Sequence, residues 1–167
     1  FLGSIILTNL YIFFYGKIIR SFFFKNEQIS NPEIGIFGSI FLSFLALSIN
    51  FFFPLTPIIC TIIFIVPIFF LFKKNFLVKK DFIFILFSSF LTILILAYSK
   101  VNTPDAGLYH LPYIQILNEN KIILGLGNIH FRFAHVSILQ YLSAINYNYI
   151  FGVNGILIPL ASLVIFL

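Results

Sequence analysis

The sequence predicts an all-α fold whose helices cross a membrane repeatedly, and three observations carry that reading. Hydrophobic residues make up 60% of the chain and charged residues 9%, against roughly 25% charged in an ordinary soluble domain; mean hydropathy is +1.08. Several apolar runs approach the ~20 residues that a helix needs to cross a bilayer. Runs such as IICTIIFIVPIFFLF lack the alternating polar positions of a membrane barrel. A segment in lipid must also close its own backbone hydrogen bonds, which selects helices. About five to six spans fit the chain, in one membrane domain over residues 1–167.

The first span runs from Leu2 to Gly16, where Lys17, Arg20 and Lys25 open a basic loop. Ser30 to Pro32 is turn chemistry that closes that loop. The second span is Ile34 to Phe53, and Pro54 to Pro57 makes an uncharged reversal. The third is Ile58 to Phe72, with Pro67 placed to kink it. Lys73, Lys74, Lys79, Lys80 and Asp81 form the next connection, and the fourth span is Phe82 to Ser99. A fifth enters near Ile138 and is broken by Asn146, Asn148 and Gly152. Gly155 to Leu167 begins a sixth.

Seven of the ten Lys and Arg residues lie in the loops at 17–33 and 73–81. The positive-inside bias makes that side cytoplasmic, which puts the Pro54–Pro57 reversal and residues 100–137 outside. The net charge of +5 is thereby a topology signal, and no nucleic-acid partner is implied. Cys60, alone in an apolar run, gives neither a disulfide nor a thiolate metal site; Cys60, Asn50 and Pro67 read as packing, helix-association or kink features. The chain has no Met, opens on Phe1 and stops at Leu167 inside an apolar run. It therefore reads as the N-terminal fragment of a larger protein.

Nearly all the chemistry lies in the external loop, residues 100–137, which holds all three histidines (His110, His130, His135), Asp105 and Arg132. Thr103 or Asp105 can cap a helix running to about Asn120. Leu108, Leu111, Ile114 and Leu117 give it an apolar stripe, suited to lying on the membrane surface. Asp105 has two readings: an N-cap, or a partly desolvated carboxylate acting as a general base. Tyr109 shares its helix face at i+4, and His110 lies beside it. Both suit either a headgroup-level interface or contact with a substrate.

Gly125, Gly127 and Asn128 permit a tight turn before His130 and Arg132. In an extended stretch those two residues would point to one side. A guanidinium fits a phosphate or carboxylate, and equally a lipid headgroup. The histidine spacings match no helical metal pair, and no phosphate loop, serine triad or redox motif is present.

The string Asp-Ala-Gly-Leu-Tyr-His-Leu-Pro, then an amphipathic helix, then Gly-Leu-Gly-Asn-Ile-His-Phe-Arg-Phe resembles bacterial multi-pass membrane proteins. These are similar to the GT-C superfamily of polyprenyl-phosphate-sugar-dependent glycosyltransferases. The resemblance covers Thr103 to Phe133. It implies an enzyme of the bacterial cytoplasmic membrane that moves a sugar from a polyprenyl-linked donor to a glycan or lipid acceptor, in cell-envelope assembly. Asp105 would be the general base, with Tyr109 and His110 as its neighbours. Arg132, with His110 or His130, would stabilise the leaving phosphate. Superfamily members differ in needing a divalent metal ion, so the resemblance leaves that cofactor open. A transporter or flippase of lipid-linked glycans is the alternative, and would place polar groups within the spans. A non-catalytic membrane scaffold, with Asp105 only a cap, is a third.

Overall fold

The computed structural model describes residues 1–25, 27–67, 69, 77–99, 106–129, 131–134 and 137–167, with the side chains at 106, 132 and 134 outside that description. Every regular element among them is helical. In chain order these are α1 (Leu2–Phe23), α2 (Asn31–Asn50), α3 (Pro57–Ile65) and α4 (Lys79–Tyr98). A π-helical turn, Ala106–His110, leads into α5 (Leu111–Glu119). Then come α6 (Leu126–Ile129), a 3-10 turn at Phe131–Ala134, α7 (Ile138–Ile145), a second 3-10 turn at Gly152–Gly155, and α8 (Ile158–Phe166).

Three helices, α1, α2 and α4, are long and apolar enough to cross a membrane. At 1.5 Å per residue, each spans roughly 30 Å. Their starts follow local chemistry. Before α2, the backbone N–H of Ser30 donates to Glu33 Oε2 at 2.7 Å and its hydroxyl donates at 2.6 Å, while Pro32 supplies a preset φ in the first turn. At α3, Thr56 Oγ1 accepts from the N–H of Ile59 at 3.5 Å, ahead of Pro57. α1 and α2 pack without a gap: a Cβ on Gly16 would strike the carbonyl of Ile34, and one on Gly38 the carbonyl of Ile12. Small residues at such a seam let two backbones approach.

α1 continues to Phe23, past the expected stop at Gly16. Its extra turns carry Lys17, whose ammonium donates to Asp81 Oδ2 at the start of α4. Asp81 also accepts from the N–H of Val78 at 3.0 Å. This pair joins α1 to α4 at the end of the bundle where α2 begins, here called the basic end. α2 carries the chain to the opposite end, where the Pro54–Pro57 reversal lies.

The loop helix α5 differs from expectation. Its residues Tyr113, Ile114 and Leu117 are buried in the main core with Tyr11, Cys60 and Leu142. The apolar face thus packs on the protein rather than on lipid, leaving Leu108 and Leu111 exposed. α7 also differs, because it does not form a fifth span. Its first turn is tied to the loop, where Gln140 Nε2 lies 3.4 Å from His110 Nδ1. Near its last turn, the Ala144 carbonyl accepts from Asn118 Nδ2 at 3.1 Å. α7 therefore starts at the end opposite the basic one and leads into the bundle, where Asn146 Nδ2 donates to Thr8 Oγ1 at 3.2 Å. From the break at Asn146, residues Gly152–Phe166 run back until Phe166 meets Gly35 and Phe84.

Candidate functional site

The end of the bundle away from the basic residues is closed by a cap: the 54–57 reversal, α5, the residues after it, and α7. Polar side chains on apolar helices fasten it. Asn50, the last residue of α2, is buried and sends its amide to the carbonyls of Leu117 at 3.2 Å and Asn120 at 2.9 Å. The N–H of Leu55 donates to the Leu117 carbonyl at 2.9 Å, and that of Ile122 to the Asn50 carbonyl at 3.0 Å. Asn118 donates to the Leu55 carbonyl at 2.7 Å as well as to Ala144. The Cys60 thiol shares those two acceptors, at 3.3 and 3.6 Å. Thus the reversal and the loop lie at one end, and Asn50 and Cys60 act as packing residues.

Between α5, Pro57 and the second 3-10 turn lies an open cleft of about 360 Å³. Its walls are mostly apolar (Ile114, Val153, Ile156), with Tyr147 on one side and Gln115, Asn118 and Glu119 as the polar lining. Gln115 Nε2 donates to Glu119 Oε1 at 2.8 Å. These three residues occupy one face of α5 by their spacing. Sequence reasoning gave none of the three a role.

The residues singled out in the sequence are distributed differently. Asp105 and His130 lie outside the described residues, as does the side chain of Arg132. Tyr109 and His110 sit side by side on the π-helical turn, ring centroids 4.2 Å apart. The face-sharing expected between Asp105 and Tyr109 falls outside the described residues with Asp105. The backbone at Phe131–Ala134 is a 3-10 turn rather than an extended stretch, and whether residues 130 and 132 share a side falls outside the described residues. Gly125 does make the turn, at φ +83°, and its carbonyl accepts from the N–H of Asn128 at 2.9 Å. Burial first, then the phenol of Tyr141, pushes Tyr113 well above the ordinary tyrosine range, so it stays neutral beneath the loop. Among the described residues, no three His, Cys, Asp or Glu side chains converge as metal ligands.

A second polar set, missed in sequence, is buried within the bundle. Asn9 donates to Ser89 at 3.0 Å, and Asn146 to Thr8 at 3.2 Å and to the Gly155 carbonyl at 2.7 Å. The side-chain oxygens of Asn9 and Asn146 find no donor among the described residues. The signal was present as Asn within apolar runs, though only Asn146 was noted, and only as a break.

A family described as a domain of unknown function (DUF8201) matches residues 1–167. No curated protein and no solved structure matches the chain.

Proposed function

We propose that this chain, which belongs to the DUF8201 family, is a multi-pass membrane domain whose cap forms a glycosyltransferase-like site at the outer face of the cytoplasmic membrane. The observation that carries the proposal is the cleft under α5, at the end of the bundle opposite the basic loops. A hydrocarbon-rich bundle supplies a lipid-facing surface, and a largely apolar cleft with three polar side chains at its end suits a reaction between a lipid-linked sugar and an acceptor. Asp105 is the general base on the acceptor hydroxyl. Arg132 with His110 or His130 stabilises the departing phosphate, and Tyr109 lines the same turn. One bond forms between the acceptor oxygen and the anomeric carbon as the bond to the phosphate oxygen breaks; the acceptor proton passes to Asp105.

Asp105→Asn in the full-length protein tests this. Asparagine caps a helix nearly as well as aspartate, whereas loss of a general base lowers turnover by about 100-fold or more. Sugar transfer from a polyprenyl-linked donor, followed in membranes, should collapse in that variant. Retained transfer refutes the assignment.

The buried Asn9, Thr8 and Asn146 favour one other reading, a transporter of lipid-linked glycans, because polar groups inside spans mark pathways. Under that reading, Asn146→Leu abolishes movement of the lipid across liposome membranes, and Asp105→Asn leaves it intact.

A further inference from the structure

The polar lining of the cleft has a chemical bias. Asn118 uses both amide hydrogens on the Leu55 and Ala144 carbonyls. Because two carbonyls can be satisfied only by the nitrogen, the amide orientation is fixed and Oδ1 is what remains for a ligand. Gln115 likewise turns its nitrogen to Glu119, keeping Oε1 as a free acceptor. Glu119, when ionised, accepts only. The three together offer oxygens along one helix face, with one negative charge and at most one spare amide hydrogen. An anion entering here would lose its hydration against acceptors, which is costly. A head bearing several hydroxyls can donate to all three.

The mouth of the cleft has a second property. Val153, in its lining, is 65% exposed, and Leu157, Leu160 and Val164 are exposed after it. Leu160 and Val164, four residues apart, share one face of α8, and Val153 and Leu157 are exposed on the turn that leads into it. Exposed apolar side chains therefore lead from the cleft along α8 toward the basic end. A head in the cleft would place an attached hydrocarbon tail on these side chains.

We propose that the cleft binds the head of a neutral, hydroxyl-rich amphiphile, a sugar-headed lipid, and rejects phosphate. Glu119 and the Asn118 and Gln115 oxygens take its hydroxyls, Tyr147 and Ile114 meet its C–H face, and the exposed apolar side chains from Val153 to Val164 carry its tail. A hexose fits better than an ammonium, since three acceptors on successive turns need more than one point donor. Calling this lipid the glycosyl acceptor rests on the transferase reading; the binding itself does not. The phosphate-bearing donor would then sit elsewhere.

Binding is measured without turnover, so the two proposals fail separately. The full-length protein in nanodiscs is titrated with hexyl glucoside, hexyl phosphate and hexylammonium by saturation-transfer NMR, with empty nanodiscs as blank. Hexyl glucoside should bind roughly tenfold or more tightly than hexyl phosphate. Glu119→Gln should narrow that gap by admitting phosphate, and Val153→Trp should weaken the glucoside roughly tenfold. Equal or tighter binding of phosphate, tighter binding of hexylammonium, or a glucoside affinity indifferent to Val153→Trp overturns the proposal. Val153 is exposed, and melting of each variant, read by dye capture of the Cys60 thiol, shows that it folds.

Discussion

The two ends of the bundle are fastened by different physics. At the basic end, a charge pair joins α1 to α4 beside the packed Phe13 and Ile85, with the Lys17 and Asp81 side chains only 13% and 5% exposed. At the cap end, neutral amides and a thiol reach backbone carbonyls in several places, and no single bond holds the structure. A buried ion pair concentrates its consequence in two residues, since removing either takes the counter-charge from the other. A set of amide bonds divides that consequence, because each lost bond strands at most a neutral carbonyl. The cap can therefore change its lining residues more readily than the basic end can change its lysine or aspartate, which suits a region that meets a ligand.

The largest effect should come from breaking the pair. Asp81→Ala leaves the Lys17 ammonium buried and removes the acceptor for the Val78 N–H. The loss should be about 3–5 kcal/mol, read as a fall of about 10 °C in the midpoint at which the Cys60 thiol becomes reactive in detergent. Lys17→Met combined with Asp81→Leu should recover much of it, since no lone charge remains. If Asp81→Ala melts with the parent, the ion pair does not hold this end, and the contrast between the two ends fails.

A smaller effect belongs to the cap. Asn118→Leu keeps the bulk of the side chain but withdraws two donors from the Leu55 and Ala144 carbonyls. The Cys60 thiol points to the same pair and has a single weak hydrogen, so it serves one of them. A loss of about 2 kcal/mol follows, less than that from Asp81→Ala. Thermal melting followed by helical circular dichroism ranks the two variants. A loss for Asn118→Leu as large as for Asp81→Ala would reverse the ranking.

The long helices were legible because their cause is local: α1, α2 and α4 are apolar runs, and α2 begins at the Ser30–Pro32 turn. What was illegible depended on partners far away in sequence. Lys17 looked like the end of a span because a lysine alone should not enter one; its acceptor lies 64 residues on. Ile138–Ile145 is apolar enough to look like part of a span, and its place is set by partners distant in sequence: Asn118 and Cys60 at Ala144, and the core around Leu142. The stripe Leu108, Leu111, Ile114, Leu117 was found, but not its destination, since lipid and protein cores make the same demand on a helix face. The cleft was missed for a related reason: Gln115, Asn118 and Glu119 form a polar face, and sequence does not say that Val153 and Ile156 stand opposite.

The smallest effect tests how the cap meets the loop above it. Gln140 caps α7 by accepting from the N–H of Ser137 at 3.1 Å, while its nitrogen faces His110 Nδ1 at 3.4 Å. Both contacts are exposed, and exposed contacts of this kind contribute little to stability because water replaces them. Gln140→Ala should therefore lower stability by no more than about 0.5 kcal/mol. Its effect should fall on position instead. Without that contact, the imidazole of His110 is held mainly by its neighbour Tyr109, so its ring should sample more orientations, seen as a narrower histidine line in NMR spectra of protein labelled at histidine. A cap that tolerates this loss while the His110 ring is freed has its stability below, in Asn50 and Asn118, and its adjustable chemistry above. A drop in melting as large as that of Asn118→Leu would instead make the His110–Gln140 contact part of the frame.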